Sequence, residues 1–477
     1  MRHIDKTQRG EILIVTLVMS AVFMILLTSL LDYLMTQYKW VDMNTKREQA
    51  LHIAEAGVEY YRWHLAHWPE DLKNGTTTPG PYVHTYEDPE EGPIGQFSLE
   101  IGGEVLCGKT QVIHATSTGW TFAEPTLRRT IVVRIARPTV ADYSYVVDEH
   151  VYAASSRVII GPYHSNGAVR MNGDNRSAVT SKLGTINCSG SSGANLGGCT
   201  NGTVVNGVYG TGSHPEWWRT AQPDISFSNF GVDFDKMEGV ATTSGIYLPK
   251  ISNDTSRFGY YLRMRSDRKI DVYRVTSIDA WRSQTTPGGD TLNLPELGSN
   301  ANSYITYATT VTIPDACPLI YVSDRTWIEG TVSGKVTVIA NSTTTASVDL
   351  FLQNNLTYAG AGGVDGIAVL AERNLLIPLY VPTNMTIRGI FFAKSGSYGR
   401  SSYGGSSSYK LRNSLTTYGT VVSKKRTGTA WLDSDGDTVQ GFITRTDSYD
   451  RILAGSPPPM TPYTSSDFRY IEWREVE

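Results

Sequence analysis

Charge is scarce in this chain. Of its 477 residues only 18% are Asp, Glu, Lys or Arg, with 42 basic residues against 46 acidic ones, and no stretch of the body gathers the basic ones into a stripe. Binding to a phosphate backbone needs clustered Lys and Arg, so nucleic acid is excluded as the main partner. Histidine is limited to nine residues. No nucleophile elbow, no His-Glu-x-x-His zinc pair and no His/Cys cluster with metal-ligand spacing occurs. The expectation is a protein that is not an enzyme. Cysteine is nearly absent: Cys107, Cys188, Cys199 and Cys317 are the whole supply. Cys188 and Cys199 bracket SGSSGANLGG, where Leu196 alone offers an apolar hold. A disulfide there would stabilise the loop by about 3 kcal/mol on the chain-entropy model, and an exported compartment permits it. Whether Cys107 and Cys317 meet is open at this level.

What the chain does have is one long apolar run. Ile12–Leu31 carries no charge, and 13 of its residues are Ile, Leu, Val or Phe. Twenty helical residues span about 30 Å, one hydrocarbon core. At the insertion energies of such residues the run favours the membrane by about 6 kcal/mol. Arg2, Lys6 and Arg9 precede it, which predicts a cytoplasmic N-terminus and an exported body. The apolar stretch continues into further helix: Leu51, Ala54, Val58, Tyr61 and Leu65 recur at three- and four-residue spacing and form one stripe. The helix is expected to run to His67 and to end at Trp68-Pro69 and Asn74-Gly75. Its first half faces lipid; its second half offers a seam to another surface.

The leader KTQRG followed by Glu11-Ile12-Leu13-Ile14-Val15 resembles a prepilin, and Gln49–Tyr60, QALHIAEAGVEY, is similar to the A-x-x-x-A-E-A-G stretch of PilX-type minor pilins. That resemblance covers the leader and the long helix. It implies cleavage by a prepilin peptidase between Gly10 and Glu11, a pilus assembly machinery, and packing of the mature helix against other pilin subunits, with Leu51, Ala54, Val58, Tyr61 and Leu65 as the filament seam. Typical pilins carry Glu at the fifth mature position, and here that position is Val15. An unpartnered charge in a dry helical core is costly, and a tip subunit has no neighbour ahead of it to engage. The departure implies a minor, tip or priming subunit.

The expected fold is α+β. Residues 1–10 read as leader, 11–69 as the pilin helix with a transmembrane first half, and 70–140 as a small antiparallel sheet, from the runs QFSLEIGGEVL, QVIHATSTGW and RRTIVVRIA. Beyond Tyr143 short β-branched runs alternate with Asn-Gly and Ser-Gly turns, and they return from Leu319 in LIYVSD, KVTVIA, GIAVLAERNLLI and MTIRGIFFAK. Their spacing suits a parallel β-solenoid, with a β-sandwich as the alternative. Residues 141–205 and 319–477 read as two parts of that body, and 206–318 as an insertion holding the hairpin-like RFGYYLRMRSDRKIDVYRV. The strings TWIEGTVSGKVTVIA and GIFFAKSGSYGR, with the exit YDRILAGSPPPMTP, also resemble β-solenoid bodies of large pilin-like proteins.

Several local patterns invite chemistry. Gly103–Thr110, GEVLCGKT, matches the phosphate-loop pattern, but a strand follows where a helix is required, so the match is coincidental. Asp433, Asp435 and Asp437 alternate around Gly436, an oxygen density that suits calcium, although the slots of an EF-hand are not met. Ser395–Tyr409 is Gly/Ser/Tyr-rich and reads as a flexible loop or a tyrosine-rich contact surface. Trp217, Trp218, Trp281 and Trp327 could stack on sugars where exposed. Asp174 with Arg170 and Arg176 could mimic a polysaccharide-lyase cluster. His164 and His214 read as structural. The function expected is a structural, minor pilin-like subunit of a type IV pilus-like filament, inserted in the inner membrane and then displayed at the cell surface, with surface glycans or host cells as further partners and no cofactor beyond calcium. The alternative is a membrane-tethered carbohydrate-active or carbohydrate-binding β-helix.

Overall fold

The computed structural model describes residues 8–188, 196–228, 230, 234–251, 258–342, 348–360 and 362–476. The fold is α+β, and the chain divides into two compact units. The first comprises the N-terminal residues to Gly102, His114–Ile135 and Tyr470–Glu477. Its helix α1 runs from Gln8 to His67, and its strands are β1 (Tyr82–Asp88), β2 (Gly92–Leu106), β3 (Lys109–Thr121) and β4 (Arg129–Ala136). They form a five-stranded sheet in the order β1-β2-β3-β4 followed by the C-terminal strand Arg469–Val476. This last strand enters the sheet from the far end of the chain. Arg129 and Arg134 pair with Glu475 and Glu472, and Tyr470 Oη donates to Val58 O at 3.3 Å and Glu59 Oε1 at 3.1 Å.

The β2–β3 turn is set by Cys107 and Gly108, both at positive φ (53° and 71°), which is the type I′ geometry that matches strand twist. The residues that mimic a phosphate loop therefore lie on a two-residue hairpin with no helix behind it. The hairpin tip, Gly103–Ile113, clusters with the second unit, where Cys107 is bonded to Cys317 across 210 residues. In the chain-entropy model a loop of that length is worth about 5 kcal/mol.

The second unit is organised by parallel strand pairing. One row of aligned residues runs through Ile246, Ile320, Val338, Val369, Phe391, Val421, Tyr145, Tyr163, Val179 and Trp218. Nine of these belong to a single buried core, and Trp218 packs partly buried at its end. The neighbouring positions on the same strands, Tyr321, Ile339, Leu370, Phe392, Val422 and Val146, face the other way into a second core with Phe234, Met237 and Ala241 of helix α2 (Phe234–Ser244). Burial on both faces explains why these strands read as unbroken apolar runs and not as alternating ones.

The row is not in chain order. Strand Tyr145–Val147, the first of the second unit, pairs with Leu411–Ser423, near the end. From there the chain proceeds outward to Trp218, crosses to Ile246–Leu248, and then works back through Leu319 to Ser423. The segment between Leu248 and Leu319 contains the hairpin expected from the sequence, Gly259–Met264 against Lys269–Val275. Gly259–Met264 also pairs in parallel with Thr326–Val332, and the segment's apolar side chains close a third core over Trp327, Phe351 and Leu376. The Gly/Ser/Tyr-rich segment is not a loose loop over its length: Tyr398 and Arg400 are fully buried, and Tyr403 donates to the buried Glu296 at 2.9 Å. Tyrosine supplies the apolar area that its small neighbours lack.

Candidate assembly helix and surface sites

Among the described residues nothing covers the first half of α1. From Ile12 to Met43 its large apolar residues are exposed, and the described residues hold one helix long and apolar enough to cross a membrane. Three of its hydroxyls bond to the helix itself: Thr16 Oγ1 donates to Ile12 O at 3.0 Å, Ser20 Oγ to Leu17 O at 2.9 Å and Thr28 Oγ1 to Met24 O at 3.0 Å. These hydroxyls are bonded without water, which suits a hydrocarbon environment. Gly10 and Glu11 are both within the helix; residues 1–7 of the leader fall outside the described residues.

The second half differs. Ala50, Ile53, Ala54, Val58, Tyr61 and Leu65 are at most 2% exposed, and Leu51 is half-buried. Three glycines let the helix approach the sheet of its own unit. A Cβ on Gly57 would sit 2.8 Å from the Phe97 ring, one on Gly95 would sit 2.6 Å from Ile53 Cδ1, and one on Gly119 would collide with the backbone of Ala50 and Ala54. The stripe expected to serve as a seam between copies is therefore already occupied by this chain's own sheet. Val58 and Tyr61, placed in that seam, are core side chains of this unit. Periodicity identified the stripe but could not say whose surface covers it.

The remaining candidates disperse. Asp433 Oδ1 accepts the amides of Asp435 at 3.1 Å and Asp437 at 2.9 Å, the pattern of a hydrogen-bonded turn. Among the described residues no group of three or more His, Cys, Asp or Glu side chains is placed to hold a metal ion. Arg170 does not join Arg176 and Asp174: its Nη1 donates to Leu196 O at 2.7 Å and its guanidinium lies 4.4 Å from the Tyr152 ring, while Arg176 Nε donates to Asp174 Oδ2 at 2.9 Å. Cys188 and Cys199 are bonded to each other; residues 189–195 of the loop between them lie outside the described residues. His164 is buried, with Nδ1 2.9 Å from Thr180 Oγ1 and Nε2 3.0 Å from Asn166 Oδ1, and burial lowers its pKa.

No protein-family model matches the chain, and no curated protein sequence matches it. Among solved structures it is similar to the competence-associated pilin ComZ from Thermus thermophilus, at 12% identity and a TM-score of 0.30, over 90% of this chain and 98% of that one. A likeness of that size carries no argument about function, which has to come from the residues.

Those residues separate the four tryptophans. Trp327 is fully buried and stacks on Phe351 at 5.0 Å, and Trp218 is drawn into the core. Trp281 and Trp217 are exposed, at 48% and 38%. Sequence reasoning missed a buried polar cluster inside the second unit. Asp447 accepts from Tyr145 Oη at 3.0 Å and from Arg157 Nε at 2.6 Å, and the Arg157 guanidinium lies 4.3 Å from the Tyr145 ring. Its members lie far apart in the chain, and neither Arg157 nor Asp447 is marked by any motif. The only hint is a charged residue within an otherwise β-branched run.

Proposed function

We propose that this chain is a pilin-like subunit of a type IV pilus-like filament, held in the membrane by α1 before assembly and displaying its β-rich second unit outside the cell for attachment. One observation carries the reading: a single unbroken helix is bare from Ile12 to Met43, uncharged from Ile12 to Leu31, and buried against its own small sheet from Ala50 to Leu65. A signal anchor needs the first property alone. A subunit that moves from lipid into a filament needs both, because the buried half fixes a folded head to a greasy rod that can exchange lipid for neighbouring helices. The contacts to other copies then belong to the bare half, with the stripe from Leu51 to Leu65 acting inside the subunit. Val15 in place of the usual Glu supports a minor or tip position, and the parallel ladder of the second unit supports a solenoid-like body.

The test is mass spectrometry of the N-terminus after expression with a prepilin peptidase and its assembly machinery, together with imaging of the tagged full chain. A mature chain beginning at Glu11, found at filaments or their tips, is expected. A chain that keeps Met1 and spreads evenly over the envelope overturns the reading.

A further inference from the structure

The parallel row of the second unit terminates at Trp218, and its neighbour Trp217 is displayed there. Trp217 ends the helical turn Pro215–Trp217 and Trp218 opens the short strand that follows it. Trp218 turns inward, with Nε1 donating to Asn175 Oδ1 at 3.0 Å, and this anchors the segment. Trp217 is left exposed, and its ring stacks on His214 at 4.2 Å with 13° between the planes. His214 holds a left-handed backbone (φ 57°) although it is not glycine and precedes a proline. Such a conformation costs free energy, and it persists only where its surroundings fix it. Glu216 Oε1, 2.9 Å from His214 Nδ1, is one of those fixings.

Beside the Trp217 ring is an open cleft of about 290 Å³, lined by Arg176, Ser177, Ala178, Trp217 and Arg219. Both guanidiniums are positioned by short contacts. Arg219 Nη1 donates to Glu216 O at 2.6 Å and to Trp218 O at 2.9 Å, and Arg176 Nε donates to Asp174 Oδ2, whose other oxygen accepts from Ser213 Oγ at 2.5 Å. A guanidinium has five donors in a planar fork, so an anchor at one nitrogen orients the others for a planar anion such as a carboxylate. An exposed indole offers a flat apolar platform with a polar edge. A flat apolar face and two oriented forks next to each other match a ligand with an apolar ring face and a carboxylate on its rim.

We propose that this cleft binds an acidic pyranoside, a uronic-acid unit of a polysaccharide, with the sugar face on Trp217 and its carboxylate between Arg176 and Arg219. The site gives a ligand class to the attachment role above and rests on that reading for its setting, whereas its chemistry rests on the cleft alone.

The test uses the detergent-solubilised full chain and ligand-observed NMR with methyl β-glucuronoside as the probe, methyl β-glucoside as the neutral ring and acetate as the anion without a ring. Saturable binding of the glucuronoside is expected, at least tenfold tighter than the glucoside and not displaced by equimolar acetate. Trp217→Ala should abolish it. Arg219→Gln should reduce it at least fivefold, towards the level of the glucoside. Both side chains are exposed, and an unchanged melting temperature in each variant shows that the fold is kept. Equal binding of glucoside and glucuronoside, displacement by acetate, no saturable binding at all, or binding unaffected by Trp217→Ala each overturns the proposal. Leader processing and filament localisation are read separately, so failure here leaves the pilin reading standing, and failure there leaves this one.

Discussion

Asp447→Asn tests whether the second unit is closed by strands from its two ends. Strand Thr438–Ser448, which carries Asp447, pairs with Arg157–Ile160, so the buried charge pair joins segments from opposite ends of the unit. The Arg157 and Asp447 side chains are 8% and 4% exposed, and the carboxylate has Tyr145 and Arg157 as partners on its two oxygens. Removing the negative charge leaves Arg157 buried without a counterion, with Arg445 close enough that its own pKa is pushed down to about 10 by burial and then by Arg157. Breaking a buried pair from one side costs about 3–5 kcal/mol. At the per-residue unfolding entropy of folded domains, a unit of this size should melt about 4–8 °C lower. Arg157→Met together with Asp447→Leu removes both charges and should recover most of that loss, since desolvation then falls on neither group.

The assay is thermal unfolding of the detergent-solubilised full chain, followed by near-ultraviolet circular dichroism, for the wild type, both single variants and the double. A single Asp447→Asn loss below about 1 kcal/mol, or a double variant no better than the worse single, would refute the closure argument. In either case the pair would contribute no more than an exposed ion pair does.

Three further outcomes follow from the same packing. Gly57→Val places two methyl groups against Phe97 and Ser117, so it should destabilise the first unit by about 1–3 kcal/mol, seen as earlier proteolysis of α1 beyond Met43, while Gly75→Ala, with nothing near its Cα but a positive φ, should cost less. Lys335 Nζ is buried and has no hydrogen-bond partner among the described residues, and burial pushes its pKa down to about 8 despite Asp450 and Asp365 nearby. The unfolded chain therefore holds a proton that the folded one has released between pH 8 and the ordinary lysine value, and stability should rise with pH across that window; Lys335→Met should flatten the rise and raise stability at pH 7 by up to about 3 kcal/mol, measured by denaturant unfolding. Deleting residues 469–477 should leave β4 as an open edge, remove the partners of Arg129 and Arg134, and make the first unit aggregate or be cleaved at β4, a result read by limited proteolysis and size-exclusion chromatography.

The legible part of this protein is the part written in local periodicity. Hydropathy alone marked the bare half of α1, and three-four spacing marked the stripe from Leu51 to Leu65, because both depend on residues a turn apart. The unbroken apolar runs LIYV and GIAVLA signalled strands buried on both faces. What stayed hidden depends on pairings of high sequence separation. Nothing around Tyr145 says that Val421 lies beside it, and nothing around Cys107 points to Cys317. The C-terminal strand RYIEWREV is mostly exposed and charged, so no apolar pattern tied it to β4; its signal is Arg and Glu residues spaced to meet Arg129 and Arg134. The same limit explains the seam. A stripe reports that a helix face is covered but carries no mark of which chain covers it, and the choice was decided by Gly57, Gly95 and Gly119, whose missing side chains make room for the sheet of the same unit. If those glycines are the cause, then enlarging any one of them should release the second half of α1 from its own sheet without altering the apolar half.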